Sequence, residues 1–126
     1  MAHFVLEYSD NIEPQMLALP QLLEKLHNAA ASTGLFPLKG IRSRAYACSD
    51  FRIADGNPNH MSVHLSFLIG SGRSAEEKEL AAKTTFDAFS AHFDRCFEQR
   101  GVALSYEMRE LEAVYKYNRN NIQDYL

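Results

Sequence analysis

The residues whose chemistry is most legible are three arginines set in short, structured surroundings. A guanidinium presents a planar fork of donors that matches a carboxylate bidentately, which a lysine does not. Arg42 and Arg44 lie two residues apart in Gly40-Ile41-Arg42-Ser43-Arg44-Ala45-Tyr46-Ala47-Cys48. A strand there points Arg42, Arg44 and Tyr46 to one face and small or apolar residues to the other. On spacing alone a solvated strand face is the favoured reading over a carboxylate clamp, and Arg44 fits a structural ion pair as well as a ligand. Arg73 stands in Gly70-Ser71-Gly72-Arg73-Ser74, one residue before a helix N-cap. A helix start favours negative charge, so a cation there is mismatched unless an anion sits between it and the free N–H groups. The competing reading is a surface arginine neutralised by Glu76 or Glu77; the anion site is preferred. The histidines show no metal-ligand spacing such as H-E-x-x-H, so no metal is expected. His64 and His92 read as structural, His27 and His60 as solvent-facing. Cys48 shares the arginine face, but no His–Asp pattern supports a thiolate nucleophile.

The elements that must hold these residues follow from periodicity. Phe4 to Tyr8 reads as a short strand, closed by the turn residues Ser9, Asp10 and Asn11. A helix is expected from Pro20 to Thr33, with proline at its first position, Leu22, Leu23, Leu26 and Ala30 on one face, and Gly34 as its stop. Pro14 opens a separate short turn. The arginine strand ends at Ser49-Asp50, and Phe51-Arg52-Ile53 reads as a short hairpin strand before the loop Asp55–Asn59. Met61, Val63, Leu65, Phe67 and Ile69 alternate with their neighbours as the clearest strand in the chain. Ser74 and Glu77 then have the spacing of a capping box. The helix they open carries Ala82, Phe86, Phe89, Phe93 and Phe97 as its expected apolar stripe, with Glu79 and Lys83 as an i,i+4 pair. Gly101 ends it, and Val102 to Met108 is the last strand.

The chain therefore reads strand–helix–strand twice, with the halves about 60 residues apart. Right-handed crossovers make the two strands of each unit parallel. The expected fold is an α/β (α+β) domain: a tandem β-α-β repeat, a four-stranded mixed sheet with two helices on one face, plus short hairpin strands. One domain covers residues 1–126, with pseudo-repeats at about 2–55 and 60–112 and a C-terminal arm at 113–126. Apolar residues on the uncovered sheet face point to neighbouring subunits as its cover. The net charge of −3 gives no basic footprint for nucleic acid. Two cysteines without a C-x-x-C pattern fit reduced thiols. No signal-like start and no long apolar run is present, so a soluble, cytoplasmic protein away from membranes is expected.

Several blocks together carry a resemblance. They are His3-Phe4, Glu7-Tyr8-Ser9-Asp10-Asn11-Ile12, Thr33-Gly34-Leu35-Phe36-Pro37-Leu38, Gly40-Ile41-Arg42-Ser43-Arg44, Ala54-Asp55-Gly56, Val63-His64-Leu65, Ile69-Gly70-Ser71-Gly72-Arg73-Ser74 and His92-Phe93. In these blocks and their spacing the chain resembles the 5-carboxymethyl-2-hydroxymuconate isomerases of the tautomerase superfamily. The resemblance implies a homotrimer built from the β-α-β repeat. It implies a cofactor-free isomerase that turns a small unsaturated di- or tricarboxylate dienol into its conjugated ketone, a step of homoprotocatechuate breakdown. It also implies that Arg42 and Arg73 bind carboxylates. Beside this, Arg44 is a binding candidate on even terms with a structural ion pair, and Phe36 and Tyr46 are weaker candidates for an apolar wall around a conjugated substrate. The family's base is an N-terminal proline uncovered by loss of the initiator methionine; here that position is Ala2. An α-amino group titrates near ~7.7–8.0, and burial or nearby arginines push it lower, so Ala2 can still offer a neutral amine once Met1 is removed. The alternative that this substitution raises is a non-catalytic trimeric homologue that keeps the anion pocket.

Overall fold

The computed structural model describes residues 1–126. Strand β1 (Ala2–Ser9) leads through a single helical turn α1 (Pro14–Leu17) to helix α2 (Leu19–Ser32) and strand β2 (Ile41–Cys48). Strand β3 (Met61–Ile69), helix α3 (Ala75–His92), short helix α4 (Asp94–Gln99) and strand β4 (Val102–Glu110) repeat the plan. The sheet order is β2-β1-β3-β4. β1 runs parallel to β2, β3 parallel to β4, and the central pair β1 and β3 is antiparallel. This is the expected four-stranded mixed sheet.

Alternation decides which face is the core. Ala2, Phe4 and Leu6 of β1 pair with Ile69, Phe67 and Leu65 of β3, and all six are fully buried. Phe4 and Phe67 stack at 4.2 Å, with their rings 7° from parallel. Both long helices lie on this side and pack against each other. His27 of α2 reaches Ser43 of β2 at 2.8 Å, and Thr85 of α3 reaches Tyr106 of β4 at 2.7 Å. Leu22, Leu26 and Ala30 bury the inner stripe of α2. In α3, Ser74 accepts from the N–H of Glu77 at 3.1 Å and Glu77 accepts from the N–H of Ser74 at 2.9 Å, the capping box foreseen from the sequence.

Several local expectations are corrected. Phe51–Ile53 pairs with nothing and forms no hairpin strand. The chain folds back there instead, with Ala54 and Gly56 at φ 49° and 83° and Arg52 bonded to the Asp55 carbonyl. Phe89 and Phe93 of the expected stripe are fully buried, but the inner stripe of α3 continues through Ala81 and Thr85 in place of Ala82 and Phe86, and Phe86 and Phe97 remain partly exposed. The helical register breaks at Phe93, which turns fully inward between α3 and α4 and meets Phe89 edge-on at 5.6 Å. Lys83 pairs with Asp87 at 3.0 Å rather than with Glu79. α2 begins one residue early, so Pro20 follows its first residue; Ala18 supplies the bend at φ 41°. His27 and His60 do not simply face solvent: the first bonds Ser43, and the second bonds Asp55 at 2.9 Å.

The uncovered sheet face is also more polar than expected. It carries Arg42, Arg44 and Tyr46 from β2, Glu7 from β1, His64 from β3 and Arg109 from β4, among others. Its apolar part is limited to groups such as Val5 and Leu68. A polar face of this kind needs partners of matched charge more than it needs burial.

Candidate active site

The site assembles around the start of β1. The register sets Ala2 beside Ile41 and Ile69, and His3 beside Arg42 and Leu68. The Met1 carbonyl accepts from the N–H of Gly70 at 3.2 Å, which closes the terminus against the loop that carries Arg73. Gly40 lies on the other side; a side-chain carbon there would stand 3.7 Å from the Met1 nitrogen. The amine is thus held between the turns that precede β2 and follow β3.

Arg73 does not use its helix terminus as expected. The capping box occupies that end of α3, and Glu76 and Glu77 supply negative charge in its first turn. The guanidinium turns back instead. Nη1 donates to the Gly70 carbonyl and Nη2 to the Leu35 carbonyl, both at 2.9 Å, and the group lies 4.4 Å above the Phe36 ring. Two carbonyls and an aromatic face fix its orientation without neutralising its charge. Neither Glu76 nor Glu77 pairs with it. Phe36 is buried, tilted against Phe67 at 5.3 Å, and serves as the floor beneath Arg73.

Arg42 is exposed on β2 and forms no ion pair within the protomer. Arg44 stands one pleat further along the same face, about 7 Å away by strand rise, also without an ion pair. Tyr46 lies two pleats further on, opposite Glu7, with about half its surface exposed. The fold therefore gathers Ala2, Arg42, Arg73 and Phe36 at one end of the sheet. It leaves Arg44 at the margin and Tyr46 outside that group within one protomer.

Two residues not singled out in the sequence join the cluster. Lys116 returns along the C-terminal arm, its Nζ 3.3 Å from where a side-chain carbon on Gly70 would stand. His3 sits on the open face with Nε2 buried and without a hydrogen-bond partner. No local pattern marks Lys116, because only the path of the arm brings it back. His3 was visible in the sequence only as a neighbour of the terminus.

Charge is the dominant property of this cluster. The terminal amine titrates below its ordinary value of 8.0, first because it is partly buried and then because Arg73, Lys116 and Arg42 oppose a further positive charge. His3 is likewise lowered, by burial and then by Arg42 and Arg44, which keeps its ring neutral. Glu110 is an acid within reach of Arg73, but it is occupied by Lys78 at 2.9 Å. The arrangement can hold an anion beside a nitrogen whose affinity for a proton is lowered. No three His, Cys, Asp or Glu side chains group to hold a metal ion.

The largest cleft, about 470 Å³ and lined by Glu13, His60 and Arg100 among others, lies at the opposite end of β3. Arg100 is consumed there by the Asn59 and Asn11 carbonyls and Glu13, so that cleft has no free cation.

A tandem β-α-β sheet with an amine and arginines at the start of its first strand defines a tautomerase-like protein. A family model described as 5-carboxymethyl-2-hydroxymuconate isomerase matches residues 2–126. The curated 5-carboxymethyl-2-hydroxymuconate Delta-isomerase of Escherichia coli is 40% identical over 122 residues, covering 97% of this chain and 96% of that protein. The crystal structure of a 5-carboxymethyl-2-hydroxymuconate isomerase from Deinococcus radiodurans R1 superposes with a TM-score of 0.90 at 38% identity, over 98% of this chain and 92% of the other. A second solved 5-carboxymethyl-2-hydroxymuconate delta-isomerase gives a TM-score of 0.90 at 25% identity, over 99% and 92%. A remoter solved chain of the cis-3-chloroacrylic acid dehalogenase family shares the fold alone, with a TM-score of 0.66 at 12% identity. This chain belongs to the 5-carboxymethyl-2-hydroxymuconate isomerase family. The relatives lend no support to the non-catalytic alternative.

Proposed function

We propose that the chain is a keto–enol isomerase that takes 5-carboxymethyl-2-hydroxymuconate, or a close unsaturated di- or tricarboxylate, to its conjugated ketone without a cofactor. The observation that carries the reading is the convergence of the start of β1, where the Ala2 nitrogen lies, with Arg42 of the neighbouring strand and the loop that carries Arg73. The reaction moves a proton between an enol oxygen and a conjugated carbon. It needs a base that is neutral at working pH and cations that hold the carboxylates while charge builds on the dienolate. Loss of Met1 uncovers the Ala2 nitrogen, displaced by about 3.8 Å along β1 from the present terminus. In this reading Ala2 moves the proton, Arg42 and Arg73 bind and polarise the substrate, and Phe36 supports Arg73. Arg44 and Tyr46 act only across a subunit boundary. The uncovered, charge-patterned sheet face supports a homotrimer. The two free cysteines and the lack of a helix long and apolar enough to cross a membrane suit a cytoplasmic enzyme.

The test is ultraviolet monitoring of 5-carboxymethyl-2-hydroxymuconate ketonisation, with intact mass measured on the same sample. Chain lacking Met1 accelerates the reaction, and chain retaining Met1 is slower. Ala2→Pro on processed chain raises the rate about tenfold or more, because a better-matched base acts in an otherwise competent pocket. No acceleration by processed chain, with alanine or with proline, rejects the reading.

A further inference from the structure

Lys116 is placed in a way that its sequence context does not explain. It belongs to a segment without regular structure, pinned at both ends. The Leu111 N–H donates to the Ile69 carbonyl at 2.7 Å, and the Asn120 side chain donates to the Lys39 carbonyl at 2.8 Å. Between these pins Lys116 is half-buried, whereas its neighbours Tyr115 and Tyr117 are 79% and 87% exposed. The arm turns the lysine inward and the tyrosines outward. Its ammonium forms no hydrogen bond or ion pair; the five ion pairs of the chain all involve other residues.

The surroundings make that burial unfavourable by itself. Lys116 Nζ and Arg73 Nη1 stand 3.3 and 3.8 Å from the same point above Gly70. Lys116 and Arg42 are each close enough to the terminal amine for their charges to act on it. A flexible lysine that pairs with no acid and has Arg73 and the terminal amine close by would ordinarily swing into water. What makes the position favourable is an anion shared among these groups. The first substrate proposed above, 5-carboxymethyl-2-hydroxymuconate, has three carboxylates, and the cluster has three basic side chains, Arg42, Arg73 and Lys116. Rigid guanidinium forks suit the two carboxylates conjugated to the reacting dienol, whereas a point charge on a flexible stem suits a carboxylate on a rotating methylene.

We propose that Lys116 is a specificity-determining residue that binds the carboxymethyl carboxylate of a tricarboxylate substrate while Arg42 and Arg73 hold the other two. The inference rests on the isomerase reading for the identity of the substrate but not for the presence of the anion site. Gly70 is part of the device, since a side chain there would crowd the ammonium at 3.3 Å.

The deciding quantity is the ratio of kcat/KM for 5-carboxymethyl-2-hydroxymuconate to that for 2-hydroxymuconate, which lacks the carboxymethyl group. The ratio cancels any effect of Lys116 on the base, which both substrates use. Lys116→Ala lowers the ratio about 10- to 100-fold, the range of a charge-assisted hydrogen bond. Lys116→Arg recovers part of it, and Gly70→Ala lowers it in the same direction. An unchanged ratio, whether both rates fall together or neither does, overturns the proposal. Titration calorimetry with propane-1,2,3-tricarboxylate and glutarate asks the same question without turnover. The wild-type preference for the tricarboxylate disappears in Lys116→Ala if the proposal holds, and a preference that is absent from wild type or survives the substitution overturns it. A chain that isomerises neither acid yet shows the Lys116-dependent preference would reject the isomerase reading alone.

Discussion

Arg42→Ala separates the chemistry of this protein from its folding. The side chain is exposed on β2 and carries no ion pair within the protomer. A substitution away from packing and hydrogen-bond networks shifts stability by less than about 0.5 kcal/mol, or about 3 °C or less in Tm for a domain of this size. Its loss from the site has a different scale. A charge-assisted hydrogen bond to a carboxylate is worth about 1.5–3 kcal/mol, and removing a donor aimed at developing charge slows turnover about 100- to 1,000-fold. Arg42→Ala is therefore expected to lower kcat/KM about 100- to 1,000-fold with Tm nearly unchanged. Arg73→Ala is the matched contrast. It gives up two hydrogen bonds at 2.9 Å and a cation–π contact at 4.4 Å. Together these contribute about 2–3 kcal/mol, so Arg73→Ala should lower activity and Tm together. Steady-state kinetics and thermal unfolding on the two variants, with size-exclusion chromatography to check assembly, read out both quantities. A wild-type rate in Arg42→Ala would remove Arg42 from the site, and a large fall in its Tm would show a structural role that the protomer does not reveal.

Three further outcomes follow from the same geometry. The rate should fall on the acid side as the Ala2 amine takes up a proton, and Arg73→Met should move that limb to higher pH because a neighbouring cation is gone, as Arg73 already lowers the Met1 amine one residue away; a pH–rate profile that does not move rejects the coupling. His3, His27 and His92 all titrate below their ordinary 6.5, chiefly through burial, so they favour the fold as neutral rings. Their contribution is complete above pH 6.5 and is lost as pH falls through 6.5 towards the depressed folded values. Urea midpoints should accordingly drop between about pH 7.5 and 5.5, and His92→Gln should flatten the dependence; a flat wild-type curve contradicts the burial argument. Ser74→Ala removes one half of the capping box and should destabilise the chain by about 1 kcal/mol with little change in kcat, measured by urea unfolding.

The strands and helices were legible in the sequence where one pattern dominated. Alternation from Met61 to Ile69 fixed both β3 and its buried face, and Ser74 with Glu77 located the start of α3. Legibility failed where two patterns competed. Phenylalanines at helical spacing suggested a stripe through Phe86 and Phe97. The helix kept Phe89 but buried Ala81 and Thr85 in place of Ala82 and Phe86, and the register breaks at Phe93, which leaves Phe97 exposed. Phe51–Ile53 had strand composition but no partner strand, and strand composition without a ladder is not a strand.

By itself the sequence determined the strand–helix–strand repeat and the sheet, because these depend on periodicity at short range, and its motif blocks carried the resemblance to the family. The tertiary structure alone decided how charge is arranged. It turned Arg73 away from its own helix onto Phe36 and the Leu35 carbonyl, 38 residues earlier in the chain. It also brought Lys116 back over Gly70 from the far end of the chain. The physical reason is that like charges come together only where the backbone path forces them, and no short-range pattern records that path.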